Sequence, residues 1–221
     1  MSLKKRPDGS YPAPLPADEA ERLRALQEFQ ILDSMPERAF DDIAFLASHI
    51  CRTPIALISL IDADRQWFKA RVGLGVPQTS RDLAFCAHAI LEPEHVLQVA
   101  DATRDERFDT NPLVTGDPDI RFYAGAPLVT GDGRAIGTLC AIDRKPRELD
   151  ADQTRALKAL SREVMTQLEL RRTILGLERA LADASAARLA GDGAHAARTE
   201  VEDRMRAILN RMQQHQRRCA P

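Results

Sequence analysis

The sequence predicts an α+β domain built on an antiparallel β-sheet and followed by a helical arm. Three observations lead there. Helix-period and strand-period segments run helix, helix, strand, strand, helix, strand, loop, strand, strand, long helix, which is not the alternation of a parallel βαβ fold. Short apolar segments are joined by tight polar turns, Asp62-Ala-Asp64 and Gly131-Asp-Gly133, as in hairpins. The composition also changes along the chain. The seven Phe, two Tyr and one Trp lie between Tyr11 and Tyr123, whereas residues 147–220 contain no proline and are rich in Ala, Leu, Arg and Glu, which favours helix.

Each element has a local reason. Pro7, Pro12, Pro14 and Pro16 mark residues 1–17 as a flexible leader. Asp18 can cap a helix over residues 19–32, with Leu23, Leu26, Phe29, Ile31 and Leu32 as its apolar positions. Met35-Pro36 breaks the chain. Phe40, Ile43, Ala44, Ala47 and Ile50 then recur at helical spacing over residues 38–51, and Pro54 ends that helix. Ile55–Ile61 reads as a well-buried strand and Gln66–Val72 as its hairpin partner, with Gly73 and Gly75 at the exit. Ser80 can cap a short helix through Leu83, Phe85, Ala89 and Ile90, and Val96–Val99 is a short strand. Residues 101–118 read as a long loop with room for a helical turn, of a length more often functional than idle. Ile120–Leu128 and Arg134–Ile142 are two further strands. Asp150 or Asp152 starts a long helix with inner positions Leu157, Leu160, Val164 and Leu168.

The totals exclude several classes. The chain has 221 residues, 44% hydrophobic and 29% charged, enough for one domain with an appendage and unlike a disordered chain. The net charge of −2 gives no general attraction to nucleic acid or anionic lipid. No apolar run approaches the roughly 18–20 residues of a membrane span, and the basic N-terminus has no apolar export segment, so neither nucleic acid nor membrane is an expected partner. Cys51, Cys86, Cys140 and Cys219 form no C-x-x-C pair, which leaves zinc-ribbon and thioredoxin-type motifs without support. A cytoplasmic protein with reduced thiols is expected.

The tail has its own pattern. Leu170, Ile174, Leu177, Leu181 and Ala184 follow the alternating spacing of a coiled coil, short of the three or four heptads that settle the matter. A surface helix docked on the domain is the alternative. Gly191-Asp-Gly193 interrupts, and Val201, Met205, Ile208 and Met212 resume the pattern. A break at 191–193 is preferred to one long helix, because two glycines cost about 2 kcal/mol relative to alanine. The expected partition is a leader over 1–17, a domain over 18–170 and an arm over 171–221.

Six segments in register then resemble a known family. They are Gln27–Asp33, Asp64–Lys69, Asp82–Ile90, Asp105–Phe108 with Asn111–Val114, Arg121–Leu128 and Gly137–Asp143. In this order and spacing, over about residues 19–175, they look like a GAF domain, of the variety at the N-terminus of bacterial sensor histidine kinases and diguanylate cyclases. The resemblance implies a GAF-like central antiparallel sheet, with helices on one side and a ligand pocket on the other. It also implies a role in signal transduction, in which a small molecule or redox state is sensed and the change passes through a helix. The Asn-Lys pair of the cyclic-nucleotide-binding members is absent. No kinase or cyclase effector segment follows residue 143, and the faint likeness of Val201–Asn210 to a phosphoacceptor helix places Asp203 where a histidine belongs.

The candidate pocket residues are Trp67, Phe68, Phe85, Cys86, Asp101, Phe108, Arg121, Tyr123 and Cys140. For each, a structural reading stands beside the functional one. The aromatics fit core packing, Cys140 and Cys86 fit buried small hydrophobes, and Arg121 with Asp101 and Asp105 fits exposed ion pairing. The functional version of Cys86 and Cys140 is a redox pair. Cys86 and His88, two apart on one helix, do not share a face, and His88 has no spaced partner for a metal or haem. No catalytic or metal-binding residue and no cofactor is assigned. The expected function is a sensory or regulatory module that binds a small molecule or senses redox state. It would act as a homodimer through Leu170, Ile174, Leu177 and Leu181, or on a separate effector protein. The alternatives are a thiol enzyme of the free methionine-(R)-sulfoxide reductase kind and a ligand-free dimerisation scaffold.

Overall fold

The computed structural model describes residues 11–189 together with residues 203, 206 and 207. Helices α1 (Glu19–Glu28) and α2 (Arg38–Cys51) lead into strands β1 (Ile55–Ile61) and β2 (Arg65–Val72). The edge strand β3 (Gln78–Ser80) and a 3-10 turn (Arg81–Leu83) precede α3 (Phe85–Ala89). Strand β4 (Leu97–Val99), a second 3-10 turn (Ala102–Arg104), α4 (Pro112–Thr115), β5 (Phe122–Val129), β6 (Ala135–Asp143) and α5 (Ala151–Leu189) follow. The strands form one antiparallel sheet in the order β3-β2-β1-β6-β5-β4. The predicted α+β architecture is the observed one.

Local differences have tertiary causes. The first helix stops at Glu28, not residue 32, because Gln30 turns into the left-handed region (φ 47°). That turn lets both Phe29 and Ile31 be buried. Asp18 makes no side-chain cap bond. The helix expected from Ser80 to Ile90 is split at Ala84, whose backbone is extended; Ser80 caps only the 3-10 turn, through the Asp82 N–H. Strand β3, Gln-Thr-Ser, has no apolar alternation to announce it.

The sheet is buried on both faces. Helix α2 covers β1, β2 and β6 on one face with Phe40, Ile43, Ala44 and Ala47. Helix α3 lies on the other, against β1, β5 and β6. A bulge between Ile58 and Ser59 leaves Lys69 as the extra residue of β2. Its buried ammonium donates to Ser34 Oγ at 2.9 Å, the Met35 carbonyl at 2.6 Å and Glu37 Oε1 at 2.7 Å, which ties the α1–α2 connection to the sheet. Buried Arg22 does the same for α1, donating to the Ile61 carbonyl at 2.7 Å and pairing with Glu19.

The link from the sheet to α5 is fastened at several points. Asp143 at the end of β6 pairs with Arg147, whose guanidinium also donates to the Arg52 carbonyl at 2.8 Å. The Asp150 carboxylate accepts from the Gln153 N–H at 2.8 Å, and Gln153 Oε1 accepts from the Asp150 N–H at 3.2 Å, a reciprocal capping box. The chain divides into two units, Met1–Gln167 and Leu168–Pro221. In the second, α5 runs to Leu189; Leu170, Ile174 and Leu181 are exposed and Leu177 is half-buried. The expected break at 191–193 lies outside the described residues.

Candidate functional site

The face of the sheet under α3 carries an aromatic and thiol stack. Strand alternation sends Tyr123 of β5 and Cys140 of β6 to this face, and Phe68 of β2 joins them in the buried cluster. Helix α3 supplies Phe85 and Cys86, and the loop after β4 supplies Phe108. The Phe85 and Phe108 rings stack with centroids 3.8 Å apart, and Tyr123 is tilted against Phe85 at 5.2 Å. The Arg107 guanidinium lies 5.1 Å from the centre of the Phe108 ring and pairs with Asp105 at 2.6 Å. A continuous series therefore runs inward from half-buried Arg107 through Phe108, Phe85 and Tyr123 to Cys86.

Two thiols sit at its inner end. Cys86 Sγ and Cys140 Sγ are 3.9 Å apart, and the Tyr123 hydroxyl donates to Cys86 Sγ at 3.3 Å. Both cysteines are reduced and buried, at 2% and 0% exposure. Ser59 and Thr138 are paired across β1 and β6 on the same face. Their hydroxyls have no conventional hydrogen-bond partner, and neither does Gln66 Oε1, which β-pairing also turns to this face. Each such buried orphan costs about 1–3 kcal/mol. The site chemistry supplies a reason to keep them. Burial opposes a charge on Cys86, yet Cys140, Thr138, Tyr123 and Ser59 together outweigh it and hold the thiol below its ordinary value. The hydrogen bond to Cys86, with burial and the charge of Cys86, pushes Cys140 up. Burial and the two sulfurs push Tyr123 up. Cys51 is the contrast: it is equally buried, and burial raises its thiol to about 11.

The other expected pocket residues are placed elsewhere. Trp67, adjacent to Phe68 on a strand, faces the opposite side of the sheet. The Asp101 carboxylate caps the second 3-10 turn, accepting from the Thr103 N–H at 3.0 Å. Arg121 donates to the Val114 carbonyl at 2.8 Å and pairs with Asp119 at 2.6 Å. Asp101 borders an open groove with Arg104, Asp105 and Arg107. A separate cleft of about 270 Å³ is lined by Leu15, Arg22, Ile90 and Arg134. His88 is buried beside the stack, edge-on to Phe108 at 4.9 Å, and its Nε2 lies 3.1 Å from the Tyr11 carbonyl. That carbonyl can only accept, so Nε2 carries the proton. Among the described residues, no group of three or more potential ligands could hold a metal. No helix among them is long and apolar enough to cross a membrane.

Sequence reasoning missed Ser59, Thr138 and Gln66. The available signal was a hydroxyl inside each apolar run, Leu-Ile-Ser-Leu-Ile and Gly-Thr-Leu-Cys-Ala. A serine in a strand that is otherwise Ile, Leu and Ala needs a buried partner. Only the register of β1 against β6 shows that the two hydroxyls meet beneath Cys86.

Comparison with known proteins places the chain. A family model described as the GAF domain matches residues 35–168. A cyclic di-GMP phosphodiesterase of Pseudomonas aeruginosa is 45% identical over 161 residues, which is 72% of this chain and 27% of that protein. The chain thus spans little more than a quarter of the length of the curated relative it matches. Among solved structures, the GAF domain of an Acinetobacter phosphoenolpyruvate-protein phosphotransferase superposes with a TM-score of 0.52 at 17% identity, covering 71% of this chain and 96% of that one. A bacteriophytochrome from R. palustris gives 0.53 at 14% identity, over 86% and 46%. At such identities these two likenesses speak for the fold.

Proposed function

The chain belongs to the GAF domain family, and on that premise we propose that it is the sensory, regulatory domain of a bacterial signalling protein. The observation that carries the reading is the buried set Cys86, Cys140, Tyr123, Ser59 and Thr138 beneath α3. Buried hydroxyls with no partner but a weakly accepting sulfur cost stability in an apolar layer, which a sensing role explains and an inert scaffold does not. Burial of both sulfurs argues against turnover, because a substrate reaches Cys86 only if α3 or Phe108 moves.

The route outward follows the chain. Cys140 lies in β6, β6 ends at Asp143, and Asp143, Arg147 and the Asp150–Gln153 capping box lead into α5. A change under α3 shifts the output only by favouring one of two arrangements of that helix. The apolar residues Leu170, Ile174, Leu177 and Leu181 then serve as the seam of a dimer or of a contact with an effector. The identity with a cyclic di-GMP phosphodiesterase supports a place in cyclic di-GMP signalling, in the cytoplasm, with regulation as this domain's part.

Native mass spectrometry of the chain purified from its own host without reductant tests the reading. A particle of twice 24.5 kDa carrying additional small-molecule mass is expected. A dimer of bare polypeptide mass removes the small molecule and leaves the thiols as the sensing groups. A bare monomer contradicts both the dimer and the bound ligand, and assigns the seam to an effector.

A further inference from the structure

We propose that Cys86 and Cys140 form a peroxide-oxidisable dithiol that closes into a disulfide between α3 and β6. The inference deepens the sensory reading and rests on it only for its consequence, not for its chemistry. The two sulfurs come from segments far apart in sequence and stand 3.9 Å apart. A disulfide needs about 2 Å, so one sulfur must move by roughly 2 Å. Cys140 is held in a strand paired on both sides, by β1 and by β5. Cys86 sits on a five-residue helix that follows an extended residue, Ala84, so Cys86 is the side that moves, by rotation of its side chain with at most a small shift of α3.

The surroundings suit an anion on Cys86 rather than a neutral thiol. Tyr123 O–H points at the sulfur, and the hydroxyls of Ser59 and Thr138 face the same space with no partner besides that sulfur. A neutral thiol is a weak acceptor and does not reward such donors; a thiolate does. Cys51, equally buried, lacks this set.

The oxidant is a hydroperoxide, small enough to reach the pair past a displaced aromatic ring. The Cys86 thiolate attacks one peroxide oxygen and the O–O bond breaks. Cys86 becomes a sulfenic acid, and the departing oxygen takes the proton of Cys140. The Cys140 thiolate then attacks the Cys86 sulfur, the S–O bond breaks, and the leaving hydroxide takes up the proton that Cys86 gave up on ionising, forming water. Two thiols are oxidised by two electrons in total, and the hydroperoxide is reduced to one alcohol and one water, or to two waters for hydrogen peroxide. A dithiol reductant reverses the step by exchange.

The test is peptide mapping of the full chain, reduced and then titrated with hydrogen peroxide, with remaining thiols alkylated after unfolding. One cross-linked peptide joining Cys86 to Cys140 is expected, lighter by two hydrogens, with alkylation of both lost in parallel. No cross-link should involve Cys51 or Cys219. Ser59→Ala should slow the reaction about tenfold, as loss of one hydrogen bond to a charged group does. Cys140→Ser should trap the sulfenic acid at Cys86, read with a cyclic 1,3-dione. Full alkylation of both cysteines after oxidation overturns the proposal, as does a sulfinic acid at Cys86 with Cys140 still free. The wild-type map decides the matter even if Cys140→Ser fails to fold. A cross-link that forms while the native mass shows a bare monomer would sink the homodimer and the bound small molecule and leave this site standing.

Discussion

Gly137→Ala is expected to destabilise the domain by about 4 kcal/mol or more, enough to abolish the folded state of an ordinary domain near its stability threshold. Gly137 lies in β6 opposite Leu60 of β1. A Cβ built there would stand 2.0 Å from the Ser59 carbonyl oxygen and 3.0 Å from both the Ser59 carbonyl carbon and Leu60 Cα. All three obstacles are backbone, and both strands are central in the sheet, so neither can step aside without losing ladder hydrogen bonds. Gly125→Ala differs in kind, because the three atoms nearest its Cβ all belong to the Tyr123 side chain rather than to backbone. The measurement is the urea midpoint at 25 °C. An unfolded or barely folded Gly137→Ala chain is expected; a loss below about 1 kcal/mol would mean that β1 and β6 do not approach this closely.

Acidification is expected to cost the domain about 2 kcal/mol between pH 7 and pH 5, and about 3 kcal/mol by pH 4, through His88. Burial, helped by Arg107 and opposed by the Tyr11 carbonyl and Asp105, pushes His88 down to about 4 from 6.5. The folded state therefore binds this proton less readily than the unfolded state. The stabilisation is complete above pH 6.5, falls as the pH drops through the unfolded value, and is exhausted below about 4. Glu19 adds a loss only at lower pH. Burial opposes its charge, but Arg22 and Arg81 hold it near 2 against an ordinary 4.5. The window from pH 7 to 5 thus isolates the histidine. His88→Gln keeps a donor for the Tyr11 carbonyl and cannot titrate, so its urea midpoint should be flat over that window while the wild-type midpoint falls. Parallel slopes would contradict the assignment.

Legibility in the sequence tracks how local each cause is. Strand β1 and helix α2 have the boundaries expected, because a continuous apolar run and a 3-4 apolar repeat are properties of neighbouring residues. The end of α1 is not local: Gln30 turns because Phe29 and Ile31 both find buried places. Lys69 reads as an ordinary strand lysine until a bulge in the β1–β2 register aims it at Ser34, Met35 and Glu37. Trp67 and Phe68 both read as pocket aromatics by residue type, although strand alternation parts adjacent residues. Asp101 and Arg121 have polar partners in their own loops, which no composition signal distinguishes from a ligand contact. Cys86 and Cys140 stood out as chemical groups. The hydroxyls that make them a site depend on Ser59 lying opposite Thr138, a fact of register.

An event under α3 matters to an output only if it reaches α5. Hydrogen exchange read by mass spectrometry, on the full chain reduced and after hydrogen peroxide, follows both elements at once. Oxidation should slow exchange in Phe85–Ala89 and along Ala135–Asp143, and should change exchange in α5 beyond residue 168 by about tenfold. Slowed exchange at α3 with identical exchange along α5 would show that the core reacts without signalling, and would contradict the account.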